Sequence, residues 1–247
     1  MTFDAYLEKG FAYYRTREYD KAIECYEKAI VLKPDFAMAY YAMGLVYDNQ
    51  GYYDKAIQCY EKAIRLKPDY VEAYGNMGNA YQLKDNPDKA IECFKKVIDL
   101  KPDDEMAYNN MGLAYYLKYN YDKAIQYYEK AIELNPDFEN AYVGCAKAYN
   151  EMGNVYYEKD NFEKTIFCYE KAIKLKPDDA SAYYNIANVY LNKGNYDKAI
   201  QYYKRAVEIN FSFFEAYNNM GVAYKAVGNQ EMANNCFRKA NMIKNNG

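Results

Sequence analysis

Apolar and small residues recur along this chain in two alternating stripes, each with the spacing of one helix face. Tyr74, Met77, Gly78 and Tyr81 fall at i, i+3, i+4 and i+7, the stripe of an amphipathic helix that buries one side. A second stripe follows, with Ala90, Ile91, Phe94, Val97 and Ile98. The pair returns every 34 residues, and prolines mark the step at Pro34, Pro68, Pro102 and Pro136. Pro177 comes after 41 residues, one period plus seven. A fixed period of this size predicts a solenoid, whose units bury their apolar faces only by stacking on one another. Asn120, Asn161 and Asn195 stand where N-caps belong, each with an acid two residues on to meet the helix dipole. The Pro-Asp steps, Pro68-Asp69 and Pro102-Asp103 among them, predict the end of one helix and the cap of the next.

These residues resemble the tetratricopeptide repeat (TPR), a pair of antiparallel helices. That family places a large aromatic fourth, a small residue eighth, an aromatic eleventh, alanine twentieth, an aromatic twenty-fourth, alanine twenty-seventh and proline thirty-second. The second repeat supplies Tyr40, Gly44, Tyr47, Ala56, Tyr60, Ala63 and Pro68, and the fourth Tyr108, Gly112, Tyr115, Ala124, Tyr128, Ala131 and Pro136. In this register the chain reads as one array with repeats 3–36, 37–70, 71–104, 105–138, 139–179, 180–213 and 214–247. It departs from the family in having tyrosine where tryptophan is usual, Val97 and Thr165 where alanine is expected, and Phe211 in place of the sixth proline. The resemblance implies an all-α fold, an α-solenoid of seven helix-turn-helix repeats in a right-handed superhelix.

The fifth repeat carries the seven extra residues. Ala141-Tyr142 with Cys145-Ala146 fits the register of the repeat before it, and Ala148-Tyr149 with Met152-Gly153 fits the register set by Pro177. One helix satisfies both, because seven residues add ~10.5 Å with only ~20° of phase drift. The expectation is an elongated first helix over roughly 138–159, splitting the stack into repeats 1–4 and 5–7, offset by ~10 Å. In the last repeat Gln230, Asn234 and Asn241 replace apolar residues and read as a polar C-terminal cap. The junction before it clusters Phe211, Phe213 and Phe214.

Composition narrows the chemistry. Net charge is −3 with both signs interspersed, which offers no basic field to a nucleic-acid backbone. No apolar run approaches the ~20 residues of a membrane span, and MTFDAYLEKG lacks a leader pattern. A cytoplasmic protein with neither nucleic-acid nor membrane partners is expected. There is no histidine, which removes the commonest general base and the histidine-based metal motifs. No phosphate loop or nucleophile elbow appears, so no enzyme activity, cofactor or metal is expected. Five of the six cysteines, Cys25, Cys59, Cys93, Cys168 and Cys236, occupy the twenty-third place of their repeats. Equivalent places in stacked units lie too far apart for disulfides, so these read as small packing residues.

Opposite the packing stripe of each first helix lies a second set of positions, which in TPR arrays lines the concave, peptide-binding surface. The sixth place holds Asn76, Asn110, Asn185 and Asn219 in four of seven repeats. This resembles the asparagine ladder in the TPR region of O-linked N-acetylglucosamine transferase. A carboxamide both donates and accepts, so it can grip a peptide backbone without demanding a sequence. Tyr41, Asn79, Asn109, Asn154, Tyr184, Asn188 and Asn218 extend the candidate site. No repeat has lysine in the fifth place, so the carboxylate clamp of chaperone-binding TPR domains is absent. The reading is a scaffold or adaptor that holds an extended protein segment. Its rivals are a substrate-recruiting TPR region of a glycosyltransferase and a homo-oligomer formed through 138–159 or the three phenylalanines. Replacing Asn76 and Asn110 with alanine is expected to weaken binding and leave stability alone.

Overall fold

The computed structural model describes residues 1–246. Among them are fourteen α-helices and no strand, as seven helical hairpins require. They fall into two compact units, Met1–Asp137 and Phe138–Gly247. The first unit contains α1 (Phe3–Arg15), α2 (Tyr19–Leu32), α3 (Ala37–Asn49), α4 (Tyr53–Leu66), α5 (Val71–Leu83), α6 (Pro87–Leu100), α7 (Glu105–Leu117) and α8 (Tyr121–Leu134). The second contains α9 (Glu139–Tyr157), α10 (Phe162–Leu175), α11 (Ala180–Asn192), α12 (Tyr196–Ile209), α13 (Phe214–Ala226) and α14 (Gln230–Asn246). Odd and even helices pair into hairpins, and within each unit successive hairpins pack on one another.

The hairpin is closed by a size match. A Cβ built on Gly44 would sit 2.6 Å from the ring of Tyr60, and one on Gly153 2.6 Å from Tyr169. The eighth-place glycine therefore lets the twenty-fourth-place ring lie directly on the helix backbone, where bulk would overpack. Repeat six admits Ala187 against Tyr203, both fully buried, so the match tolerates one methyl. Each repeat turns between its helices on one left-handed residue: Arg17, Gly51, Asp85, Tyr119, Asp160, Gly194 or Gly228. Only glycine occupies that conformation without a Cβ penalty, so Arg17 and Tyr119 hold strain.

Caps follow the sequence in part. Asn120, Asn161 and Asn195 accept from the backbone N–H of Lys123, Lys164 and Lys198. The Pro-Asp steps end helices as expected, but the cap falls one residue later. Asp104, not Asp103, accepts from Ala107 N–H at 2.9 Å, and the N-cap residue of α5 is Tyr70, which makes no side-chain cap bond. Thr165, in an alanine position, is fully buried and donates its hydroxyl to Asn161 O at 2.9 Å. The larger side chain thus brings its own hydrogen bond, which is why it is tolerated.

Helix α9 runs unbroken through Gly144 for 19 residues, against 13 in α7 and α11. Ala141, Cys145, Ala148, Tyr149 and Gly153 are all buried, so both registers read from the sequence carry packing residues. Gln230, Asn234 and Asn241 of α14 are exposed, consistent with a polar face. Of the phenylalanine cluster, Phe213 packs on Tyr184 with the rings tilted and their centroids 4.8 Å apart, Phe214 is half-buried, and Phe211, the exposed member, is 77% accessible.

One device was not anticipated. In six repeats the lysine at place nineteen sits over the tyrosine at place eleven: Lys21–Tyr13, Lys55–Tyr47, Lys89–Tyr81, Lys123–Tyr115, Lys164–Tyr156 and Lys198–Tyr190. The ammonium lies 5.0 to 5.4 Å from the ring centroid, within cation–π range. Repeat seven has Met232 in that place.

Candidate binding groove

The asparagines lie on odd-numbered helices, in the stripe of places two, five, six, nine and thirteen opposite the main packing stripe. In the first unit Tyr41, Asn76, Asn79 and Asn110 come together around a cavity of about 480 Å³. In the second, Asn154, Asn185, Asn188 and Asn219 surround a cavity of about 330 Å³. Tyr184, Asn218 and Asn219 line a further one of about 290 Å³. Asn109 lies beside the first cavity, donating to Asn110 Oδ1 at 3.2 Å. Most of these side chains are half-buried, and Asn218 is exposed.

Their hydrogen bonds run between repeats. Asn76 Nδ2 donates to the Tyr41 hydroxyl at 3.0 Å, 35 residues back. Asn219 repeats that step onto Tyr184 at 3.1 Å. A 31-residue step joins Asn110 to Asn79 Oδ1 and Asn219 to Asn188 Oδ1, both at 3.1 Å. At place thirteen, Asn49 reaches the Tyr14 hydroxyl at 3.0 Å, and Asn192 donates to that of Tyr157. Within each unit the amides therefore tie a repeat to the one before it. Alanine at Asn76 and Asn110 would remove stacking bonds as well as groove chemistry, which corrects the expectation of unchanged stability. Asn185 lines its cavity with no hydrogen bond to the stack.

The ninth-place asparagine has a further partner inside its own hairpin. Tyr169 donates its hydroxyl to Asn154 Oδ1 at 2.6 Å, and Tyr203 donates to Asn188 Oδ1. Repeats one and two carry Phe11 and Leu45 in that place, so the buried hydroxyls of Tyr26 and Tyr60 lack an asparagine partner; that of Tyr26 has none at all, whereas that of Tyr60 lies beside the Asp48 carboxyl. Burial pushes the acidity constants of all four tyrosines upward, so they stay neutral donors. Burial also raises the Asp48 carboxyl, an effect opposed by the nearby Tyr60 hydroxyl.

All six cysteines are buried and none forms a disulfide. Burial pushes Cys59 and Cys93 up to about 12, leaving thiols with little nucleophilic character. Among the described residues no group of histidine, cysteine and carboxylate side chains could hold a metal. No helix there is long and apolar enough to cross a membrane. Residues missed in the sequence are Tyr157 and Asn192 in the second unit, and Val71, Glu72, Val97, Lys101 and Met106 in the first. Asn192, at place thirteen, and Glu72 and Met106, at place two, share the groove stripe and were within reach of that argument.

Residues 10–51, 49–85 and 153–194 match the family described as TPR repeat. Residues 71–104, 106–138, 180–213 and 214–246 match the tetratricopeptide repeat. The stretch left between these matches, 139–152, is the first part of α9 with its inserted heptad. No curated protein matches the chain. Among solved structures, that of MamA is 27% identical, covering 71% of this chain and 92% of its own, with a TM-score of 0.54. The C-terminal part of a TPR repeat-containing protein from Cytophaga hutchinsonii is 20% identical over 98% of this chain and 96% of its own, with a TM-score of 0.72. YrrB, described as a TPR protein with an unusual peptide-binding site, is 22% identical over 74% of this chain and 91% of its own, at 0.51. The latter two share the fold.

Proposed function

The chain belongs to the tetratricopeptide repeat family, and from that premise we propose that it is a protein-interaction scaffold holding an extended segment of a partner against the asparagine-lined faces of its odd-numbered helices. The fold is generally a non-catalytic interaction module. The observation that carries the finer reading is the pair of amide-lined cavities, one in each unit. Each carboxamide has two N–H donors and an oxygen with two lone pairs. One bond to a neighbouring repeat leaves capacity over, which suits a peptide backbone that alternates N–H and C=O along its length.

Asn185 provides the test, because it lines the second cavity without serving the stack. Peptides selected from a random display library on the full-length protein would be measured against the wild type and Asn185→Ala. Loss of one hydrogen bond should weaken binding by about 0.5–1.5 kcal/mol with the unfolding curve unchanged. Selected peptides that bind Asn185→Ala, and a second variant at Asn79, as tightly as the wild type would refute the reading.

A further inference from the structure

The first unit's cavity differs from the second's in a way that selects a side chain. Place five holds Tyr41 in α3 and Asn109 in α7, the odd-numbered helices on either side, but Gly75 in α5. A Cβ built on Gly75 would meet no heavy atom within 4 Å, so the missing side chain leaves an open recess. Val97, standing where the repeat otherwise has alanine, lines it together with Val71 and Met106. Met106 is 61% exposed, an apolar wall awaiting cover. The rim is acidic in balance. Glu72 is exposed and has neither an ion pair nor a hydrogen bond. Lys101, the one ammonium lining the recess, is already bonded to Asp104 at 3.0 Å. It also lies in the field of Asp103 and Glu105. The second unit's cavity of about 330 Å³ is lined by asparagines, tyrosines and Leu191, with no charged residue.

An acidic side chain entering the first recess would meet excess negative charge, and a purely apolar one would leave Glu72 unmatched. A long aliphatic stem ending in a cation matches both parts, as lysine and arginine do when they lay their methylenes on apolar surface and keep the charged end in a polar rim. Resting on the groove reading above, we infer that the recess at Gly75 is a specificity pocket for a lysine or arginine of the bound segment. Its stem lies on Val71, Val97 and Met106, and its charge faces Glu72. The cavity of the second unit makes no such demand.

The test uses acetylated, amidated heptapeptides of glycine, serine and asparagine with one central guest: lysine, its uncharged isostere norleucine, or glutamate. Binding to the full chain is followed by NMR, through the Met106 methyl and the side-chain amides of Asn76 and Asn110, up to millimolar peptide. The lysine peptide should shift the Met106 methyl and bind roughly three- to fivefold more tightly than the norleucine peptide, as a partly exposed ion pair allows, with glutamate weakest. Glu72→Gln should erase the difference between lysine and norleucine, and Gly75→Tyr should fill the recess and silence the Met106 response. Equal affinities in the wild type, or a lysine preference surviving in Glu72→Gln, would overturn the pocket. In that event amide shifts that persist with every guest leave the groove reading standing. Amides unmoved by any peptide would overturn both.

Discussion

If the groove asparagines hold the stack together, removing one that makes two inter-repeat bonds should cost stability in proportion. Asn219 is the strongest case, donating at 3.1 Å to both the Tyr184 hydroxyl and Asn188 Oδ1. A net intramolecular hydrogen bond contributes about 0.5–1.5 kcal/mol, so two bound the loss at about 1–3 kcal/mol. The lower half is expected for Asn219→Ala. Asn188 Oδ1 keeps the donor from Tyr203, and the half-buried Tyr184 hydroxyl can turn to water, so neither is left orphaned. The expected loss is therefore about 1–2 kcal/mol. Its neighbour Asn218 is the control: it is exposed and makes one long contact of 3.4 Å, so Asn218→Ala should stay within about 0.5 kcal/mol. Asn76→Ala, with a single donated bond, should fall between. Because repeat arrays open in parts, urea unfolding by circular dichroism should be read beside hydrogen exchange in α11 and α13. Exchange should quicken there for Asn219→Ala. Equal stability of the Asn219 and Asn218 variants would show that the amides are not structural ties.

The tyrosine hydroxyls yield an opposed pair. Tyr203→Phe loses its bond to Asn188 and should cost about 0.5–1.5 kcal/mol, whereas Tyr26→Phe removes a buried hydroxyl without a partner and should be neutral or stabilising. Urea midpoints moving in the same direction for both would contradict the account. For the lysine-over-tyrosine ladder, Lys123→Met keeps the stem, copies the residue of repeat seven, and should cost about 0.5–1 kcal/mol through lost attraction to Tyr115. A double-mutant cycle with Tyr115→Leu showing no coupling would discard it. Asp48 sets a pH dependence. Burial raises its carboxyl, so the folded chain holds the proton more readily than the unfolded one. Its contribution is full below the unfolded value and is lost as pH rises through the folded value. Asp48→Asn should flatten that fall and be more stable than the wild type at neutral pH. Parallel stability–pH curves for the two proteins would refute the assignment.

What the sequence could reveal, and what it could not, divides at the boundary of the repeat. Features set by neighbours within a few residues were legible: the helix stripes, the caps at Asn120, Asn161 and Asn195, and the long α9, where Ala141-Tyr142 and Ala148-Tyr149 are one heptad apart. The period also located Asn76, Asn110, Asn185 and Asn219 on the groove stripe. What those amides bond to depends on which residue lies 31 or 35 positions away, and a repeat consensus averages that away. Tyr41 and Tyr184 accept from the sixth-place asparagine of the next repeat; Gly75, in the same place, offers no hydroxyl and opens a recess instead. The lysine–tyrosine ladder escaped for the opposite reason. Both residues recur in most repeats, but a tyrosine on a helix stripe is fully accounted for by packing, and its spacing carries no sign of a cation above the ring. Departures from the repeat are thus where this chain's own chemistry lies. Gly75 and Val97 both sit in repeat three, one removing bulk from the groove and the other adding it to the wall. Together they give the array one site unlike its neighbours, which a scaffold needs if it is to hold an extended segment in a single register.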